Sequence, residues 1–323
     1  MKQMAKLFGM LAVLTLLVTS CGKADTDLPT VYFTRDISPE GLMKVYKALG
    51  VTPEGHVAVK ISTGEPGGHN FLSPALIGDL VQSVAGNIVE CNTAYAGRRY
   101  STLDHYKAAE EHGFMEIASV EIMDAKGEIR IPVRDTTHLK YNIVGAGVAN
   151  YDYMINIAHF KGHAMGGFGG VLKNSSIGVA SANGKAYIHT AGKCETKEEM
   201  WAQVAKTEQD HFLESMAAAA QSVHDYYEGR MAYINVANNL SVDCDCDSHP
   251  ADPEMNDIGI FASLDPVAVD QACVDAVFEY PSTEGDHAGA LIERINSRHG
   301  VHILEHAAAI GLGSREYKLV EIK

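Results

Sequence analysis

The sequence lacks several patterns that would assign it to a familiar class. It has no apolar segment long enough to span a bilayer, which takes about 20 residues. It has no internal repeats, no long low-complexity stretch and no Gly-x4-Gly-Lys-Ser/Thr phosphate loop. No Cys-x-x-Cys pair occurs anywhere in the chain. These absences argue against a polytopic membrane protein, a repeat architecture and a plain phosphate loop.

Basic residues are also few. The chain has 26 lysines and arginines against 41 aspartates and glutamates, a net charge of −15 with histidine neutral. Such an acidic balance argues against nucleic acid as a partner and against binding to anionic lipid by charge. We therefore expect no nucleic-acid partner, and membrane contact through a covalent anchor only.

A short basic stretch and an apolar run open the chain. Lys2 and Lys6 precede the run Leu7–Val18, which is too short to span a bilayer and suits the core of a signal peptide. The tetrapeptide Val-Thr-Ser-Cys that ends at Cys21 resembles a bacterial lipobox, in which the cysteine is acylated and becomes the new N-terminus. An uncleaved anchor helix is the alternative.

This N-terminus predicts an exported lipoprotein of the cell envelope that faces the periplasm or the cell surface. Residues 1–20 are the expected signal peptide, Cys21 the lipidation site and residues 21–30 a polar tether. The roughly 300 residues of the body can bury one large core or two smaller ones. Cysteines beyond Cys21 are odd in number, so at least one thiol is unpaired within the chain.

Strand-like and helix-like segments alternate along the body. This alternation predicts an α/β fold with a mostly parallel sheet flanked by helices, as one body or as two lobes with the site between them. We expect an α/β part over 31–192, a helical segment over 193–230 and a second α/β part over 231–323. The expected strands are Val31–Phe33, His56–Ser62, Asn87–Glu90, Tyr153–Ala158, Met231–Val236, Asp257–Ala262 and Tyr317–Ile322. The expected helices are Pro39–Leu49, Pro74–Val84, Leu103–His112, the 197–227 region, a helix capped by Asp265 that ends at Phe278, and His302–Ile310.

The densest chemistry follows the expected strand Tyr153–Ala158. Ligands of open parallel sheets sit beyond the carboxyl ends of the strands, and a glycine-rich loop lets backbone N–H groups approach them closely. Neutral histidine supplies metal ligands or a general base, and a lysine can hold an anion or act as base or nucleophile. A solvated loop with incidental charges is the alternative. We expect His159, His163 and Lys173 to be catalytic, and Lys161, Gly167, Gly169, Gly170 and Asn174 to bind an anionic ligand.

The glycine-rich segment resembles a known family. The run His-Phe-Lys-Gly-His from His159, followed by Gly-Phe-Gly-Gly-x-x-Lys-Asn up to Asn174, resembles the signature of the domain of unknown function 362 family, also called uncharacterised iron–sulfur-centre proteins. Further stretches, including 57–60, 243–246 and 265–270, extend the resemblance from about residue 31 to the C-terminus. It implies little about function, because the family's reactions are mostly unknown. Many members carry a ferredoxin-like insert of Cys-x-x-Cys motifs, whereas residues 193–223 hold only Cys194, so we expect no four-cysteine iron–sulfur cluster.

A shorter motif is similar to the nickel-pincer lactate racemases. His163, Gly167, Lys173 and His189 fall at the spacings of that family, although the Gly-Gly pair that includes Gly170 is offset by one. The resemblance implies that Lys173 anchors a cofactor or anion, His189 binds the metal and His163 is an acid–base group. A shared fold without shared chemistry is the alternative.

A second cluster is the Cys-x-Cys loop. Cys244 and Cys246, with His249 three residues on, can bind a soft or borderline divalent transition metal. The alternatives are a polar loop and a disulfide to one of three other cysteines. The loop follows the expected strand Met231–Val236 and so reaches the sheet edge of His163, where the two clusters can share one metal. Ligand atoms more than roughly 10 Å apart exclude a shared ion, since metal–ligand bonds are about 2.0–2.3 Å. The alternative disulfide partners are Cys91, Cys194 and Cys273.

These residues favour a metal-dependent enzyme that acts on a small anionic, carboxylate-type substrate, with Arg98 or Arg99 as a further anion contact. One alternative is a lipoprotein that binds a metal or ligand without catalysis. Another is a redox accessory protein that uses Cys244 and Cys246. The remaining histidines look scattered and are expected to be surface or core residues: His211, His224, His299, His302 and His306.

Overall fold

The computed structural model describes residues 28–323. The expected signal peptide and the lipidation site Cys21 lie outside the described residues, as does most of the expected tether. Among residues 28–323, no helix combines the length and the apolar character that crossing a bilayer requires.

Strands from both ends of the chain form one sheet. Eight strands pair in the order β12-β1-β11-β10-β7-β2-β3-β4. Only β11 runs antiparallel to its neighbours, and the other neighbouring pairs are parallel. The remaining strands form two short hairpins, β5 with β6 and β8 with β9. The strands are β1 Thr30–Thr34, β2 Val57–Lys60, β3 Asn87–Glu90, β4 Val120–Ile122, β5 Glu128–Ile131, β6 Asn142–Gly145, β7 Tyr153–His159, β8 Lys161–His163, β9 Gly167–Gly169, β10 Met231–Ala237, β11 Gly259–Ser263 and β12 Lys318–Glu321.

Helices cover both faces of this sheet. They are α1 Pro39–Ala48, α2 Pro74–Ser83, α3 Thr102–Glu111, α4 Phe114–Ile117, α5 Val171–Ser176, α6 Ala182–His189, α7 Met200–Val204, α8 Gln209–Tyr226, α9 Pro266–Phe278, α10 Gly289–Ser297 and α11 His302–Ala309. The predicted α/β fold with a mostly parallel sheet is therefore confirmed.

The apolar strands alternate between two cores. Val57, Val59 and Ile155 pack with α1 and α2 on one face, whereas Ala58 and Met154 pack with α5, α8 and α9 on the other. Successive strand residues point to opposite faces, so strands that are buried throughout must fill a core on each side. The parts expected over 31–192 and 231–323 meet within this sheet, where β7 pairs with β10.

Capping residues set the helix starts that the sequence predicted. Ser38 accepts the backbone N–H of Gly41 at 3.1 Å ahead of Pro39 in α1. Asp265 accepts the N–H groups of Val267 and Ala268 at 2.8 and 2.9 Å at the start of α9. Each carboxylate or hydroxyl satisfies donors that have no partner inside the helix.

A buried charge network lies at the carboxyl ends of β2 and β3. Lys60 ends β2 and contacts Glu90, which ends β3, at 3.1 Å between Nζ and Oε2. Arg99 lies 3.4 Å from the other oxygen of Glu90, and the Thr63 N–H donates to it at 2.7 Å. Burial opposes ionisation, but Lys60, His105 and Arg99 lower the pKa of Glu90 to about 2. Glu90 is therefore the anion that holds two buried cations in place.

We predict that Glu90→Gln destabilises the protein by about 3–5 kcal/mol, because it leaves Lys60 buried without a counter-charge and removes one of the two carboxylates paired with Arg99. The matched control is Glu111→Gln, which removes the exposed partner of Arg98 and should leave stability nearly unchanged. Urea unfolding at pH 7 measures both effects.

The pH dependence of the same variant has a definite sign. A carboxylate whose folded pKa is about 2 stabilises the protein fully above its ordinary pKa of 4.5, and this contribution is lost as the pH falls through 2. The stability gap between wild type and Glu90→Gln should therefore narrow between pH 4.5 and 2. An equal loss of stability in Glu90→Gln and Glu111→Gln at pH 7 would contradict the role of Glu90 as the counter-charge of the buried network.

Candidate active site

The glycine-rich segment folds as a hairpin followed by a helix, and it is buried. Strand β8 pairs with β9 so that His163 lies opposite Gly167, whose φ of +81° is the left-handed conformation that glycine adopts freely. The segment is therefore not the solvated loop considered from the sequence. The backbone turns back on itself here because the residue at the turn has no side chain.

A second glycine lets the Cys-x-Cys loop approach the hairpin. A Cβ atom on Gly162 would lie 2.2 Å from the carbonyl oxygen of Val242, so a side chain is sterically excluded. Instead the Gly162 N–H donates to the Ser241 carbonyl at 2.8 Å. The loop after β10 thus lies directly against β8.

Asp245 fixes this contact with a buried carboxylate. Its Oδ1 lies 2.7 Å from Nδ1 of His159, and its Oδ2 accepts from Nζ of Lys161 at 3.0 Å. Lys161 and His159 hold the pKa of Asp245 well below its usual range, although burial opposes this. The second nitrogen of His159 faces the Asn238 carbonyl at 2.6 Å, so both ring nitrogens act as donors. His159 and Lys161 therefore position the loop, and neither nitrogen of His159 is free to accept a proton.

The two expected clusters meet at one point. A ring nitrogen of His163 and the sulfurs of Cys244 and Cys246 all lie within 4.8 Å of one another. Neither cysteine forms a disulfide, and the same holds for the three other cysteines in residues 28–323. His249 is exposed on the same loop. Its backbone N–H donates to Asp247, and its ring contacts the hydroxyl of Ser248. The sequence hypothesis of a shared site is compatible with these distances.

Lys173 and the neighbouring thiol stabilise a thiolate at Cys244. Nζ of Lys173 donates to Sγ of Cys244 at 3.4 Å. A hydrogen bond from the Cys246 thiol, together with Lys173 and Lys161, lowers the pKa of Cys244 well below its ordinary value despite burial. The same bond raises the pKa of Cys246 well above its ordinary value. The surroundings therefore favour the thiolate at Cys244 and the thiol at Cys246.

A cavity of about 580 Å³ contains this group. Lys173 and Lys185 both line it, and neither forms an ion pair with a carboxylate in the described part of the chain. Lys185 is only 6% exposed and donates to the Ala180 carbonyl at 2.6 Å. Four larger apolar side chains, Met165, Met200, Trp201 and Val204, also line the cavity.

Two neutral histidines of the cavity carry their protons on different nitrogens. Nδ1 of His163 accepts the Gly166 N–H at 2.8 Å, so the neutral ring bears its proton on Nε2. Nδ1 of His189 faces the Lys185 carbonyl at 2.7 Å and must donate, which leaves the lone pair of Nε2 free. Burial lowers the pKa of His163 well below 6.5 and that of His189 to about 4. Only His189 thus presents a nitrogen that can accept a proton without losing a hydrogen bond.

The remaining predicted residues support the site in different ways. Asn174 accepts from Nζ of Lys60 at 2.9 Å and so connects α5 to the charge network. A Cβ atom on Gly170 would lie 2.2 Å from Asp270, and one on Gly169 would contact Lys173. Arg98 pairs with Glu111 at the surface and does not line the cavity.

Arg99, which the sequence offered as the alternative to Arg98, lines the cavity, is buried and pairs with Glu65 at 3.1 Å. Sequence reasoning missed two further lining residues, Lys60 and Lys185, which lie far apart in the chain. The sequence did contain a signal for Lys60, because this charged residue ends a strand whose other residues are valine and alanine.

We predict that Lys173→Gln raises the pH midpoint of thiolate formation at Cys244 by about one to three pH units, because it removes the cation in contact with the sulfur. Thiolate absorbance and the alkylation rate measured against pH report this midpoint. Lys185→Gln is the matched control, since it removes a cavity lysine that does not contact Cys244. Identical pH midpoints of thiolate formation in Lys173→Gln and Lys185→Gln would contradict the contact between Lys173 and Cys244.

Comparisons with known proteins place the chain in a family. Residues 57–275 match the family model described as "Domain of unknown function (DUF362)". The lactate racemase apoprotein from Thermoanaerobacterium thermosaccharolyticum is similar at 12% identity and a TM-score of 0.45, over 76% of this chain and 56% of that one. A structural-genomics protein from Thermotoga maritima is similar at 12% identity and a TM-score of 0.43, over 74% of this chain and 57% of that one.

The chain thus spans little more than half the length of either solved structure. No curated protein matches it. The family model covers well over half of the sequence and includes both the glycine-rich hairpin and the Cys-x-Cys loop. The protein therefore belongs to the domain of unknown function 362 family.

Proposed function

We propose that the protein is a metal-dependent enzyme that acts on a small anionic substrate of the carboxylate type. The observation that carries this proposal is the convergence of His163, Cys244 and Cys246 within 4.8 Å, in a cavity that also contains Lys173 and Lys185. Soft donors beside cationic side chains suit a metal and an anion that bind next to each other.

The donor set fits a borderline or soft divalent ion such as zinc, nickel or cobalt. Cys244 is already a thiolate, and a metal would replace the proton of Cys246. Ligation by His163 costs its bond to Gly166, because Nδ1 would either bind the metal or take up the ring proton. One hydrogen bond is worth about 1 kcal/mol, well below the roughly 10–16 kcal/mol of a structural zinc site. A bound metal would supply Lewis-acid polarisation of a substrate oxygen.

The lysines supply the anion site. Lys185 is buried with only a carbonyl as partner, so its charge is available to a ligand. When a metal takes up the thiolate charge, Lys173 becomes available in the same way. Two ammonium groups bind a carboxylate by charge-assisted hydrogen bonds. The lining residues Met165, Met200 and Trp201 suit an apolar substituent of the substrate.

His189 supplies the base. Its Nε2 lone pair is free, and the Lys185 carbonyl holds the ring in that tautomer. A base held in a fixed tautomer can remove a proton from carbon or oxygen next to the bound carboxylate. The racemase resemblance implied metal ligation at His189, and the free lone pair is compatible with that role as well.

Elemental analysis of the mature chain, purified without chelator from an exporting host, tests the metal. We expect wild type to hold about one more equivalent of a transition metal than Cys244→Ser/Cys246→Ser. His249→Gln, on the same loop but outside the three-ligand group, should retain the metal. The amide signal of Gly166 should shift when metal is added to the apoprotein.

Turnover is tested by proton exchange of small hydroxy carboxylates in deuterated water. His189→Gln should abolish exchange with the metal retained, and Lys185→Gln should mainly raise KM. Metal without any turnover would favour the capture protein considered from the sequence, and absence of metal from the wild-type protein would sink the metal-dependent proposal.

The thiolate–thiol pair supports a second candidate, a thiol redox accessory protein. Cys244 is a stabilised thiolate and Cys246 is a thiol bound to it, which is how a nucleophilic cysteine and a resolving cysteine are arranged. The elemental analysis separates the two candidates, because a metal bound to both sulfurs blocks their oxidation.

We also propose that the enzyme is an exported lipoprotein of the cell envelope anchored at Cys21. The basic stretch, the short apolar run and the lipobox-like tetrapeptide support this. Mass spectrometry of the mature N-terminus should find an acylated Cys21, and Cys21→Ser should release the protein from the membrane fraction. An unmodified N-terminus at Met1 would contradict the anchor.

A further inference from the structure

Five histidines that look scattered in the sequence lie together on the surface. They come from the segment before β6, from α8 and from the segment that includes α11, which packs against α8. The rings of His138 and His211 are 4.5 Å apart, those of His299 and His302 are 4.9 Å apart, and those of His302 and His306 are 6.3 Å apart. The interpretation of His211, His299, His302 and His306 as scattered residues is therefore wrong, because the fold brings them close together. We call these five the histidine cluster.

Carboxylates connect the cluster. Glu214 on α8 lies 2.6 Å from Nε2 of His138 and 3.0 Å from Nε2 of His302, with one oxygen for each ring. Asp135 lies 2.7 Å from His306. Asp210 lies 2.7 Å from His299. In residues 28–323, ion pairs of these three carboxylates are formed with histidines alone, without lysine or arginine.

Three carboxylates thus lie among imidazole rings, and no lysine or arginine of residues 28–323 forms an ion pair with them. A divalent cation bound among these side chains would complement the carboxylates.

One part of the cluster has the geometry of a ligand set. Single ligand atoms of Asp210, His299 and His302 all lie within 4.8 Å of one another. The side chains of Asp210 and His299 are 47% and 57% exposed, so an ion can reach them from solvent. Nε2 of His302 faces Glu214 at 3.0 Å and Nδ1 faces Glu305 at 3.3 Å, so a metal bound at Nδ1 would replace the Glu305 contact while Glu214 keeps the proton on Nε2. A metal-binding histidine usually donates its other ring N–H to a carboxylate, which fixes the orientation of the ring.

We propose that Asp210, His299 and His302 form a second, surface-accessible site for a divalent transition metal, with Glu214 as the carboxylate that orients His302. Imidazole nitrogens with one carboxylate oxygen and no sulfur suit zinc, nickel, copper or cobalt. The all-oxygen preference of calcium and magnesium excludes these two ions. The site is separate from the cavity, none of whose lining residues belongs to it.

Zinc titration calorimetry at pH 7.5 tests the proposal on the mature chain carrying Cys244→Ser/Cys246→Ser, in which the cavity sulfurs are absent. We expect one zinc equivalent. His299→Gln/His302→Gln should weaken its binding by more than tenfold, since even outer partners of a metal contribute about 10- to 100-fold in affinity. Asp210→Asn, an exposed and conservative change, should weaken it in the same direction.

The matched control is His287→Gln, which removes another exposed histidine paired with one carboxylate, Glu254, and should leave zinc binding unchanged. Cobalt spectra of the chain with intact cysteines give a second measurement. Cobalt in the cavity shows intense thiolate charge-transfer absorption, and cobalt in the histidine cluster shows only weak d–d bands, which His299→Gln/His302→Gln should remove. No zinc binding in the sulfur-free chain, or equal affinity in His299→Gln/His302→Gln, would overturn the proposal. The result does not depend on whether the cavity binds metal.

Discussion

Asp245 stands between Cys244 and Cys246 with its carboxylate buried, and it binds His159 at the end of β7 and Lys161 at the start of β8. This contact joins two parts of the chain that lie 84 to 86 residues apart in the sequence. A buried pair with one partner removed costs several kcal/mol, so the charges hold the loop firmly. The positions of both sulfurs next to His163 depend on this contact.

Two regions of the protein have opposite charge imbalances. In residues 28–323, the cavity includes two lysines, Lys173 and Lys185, that form no ion pair with a carboxylate, and the histidine cluster includes carboxylates whose ion-pair partners are histidines. The first arrangement suits an anion, and the second suits a cation. Neither imbalance is visible in the net charge of −15, which describes the whole chain and not any site.

The elements of the fold could be predicted because local rules decided them. Ser38, Pro39 and Asp265 set helix starts, and buried runs such as Tyr153–His159 formed strands in the central sheet. The hairpin of β8 and β9 could not be predicted, because its pairing depends on the left-handed turn at Gly167 and on the Val242 carbonyl that packs against Gly162. Arg98 and Arg99 are neighbours in sequence, and only packing decides that the second faces the cavity.

The sequence by itself determined the α/β class, the family resemblance and the residue types of the site, since hydrophobic periodicity, caps and a dense motif are properties of short segments. Tertiary structure alone decided which residues meet. It placed Lys60 and Lys185 in one cavity, fixed opposite tautomers at His163 and His189, and gathered five distant histidines on one surface. The physical reason is that charge, desolvation and hydrogen bonding act over a few ångströms in space, whatever the separation along the chain.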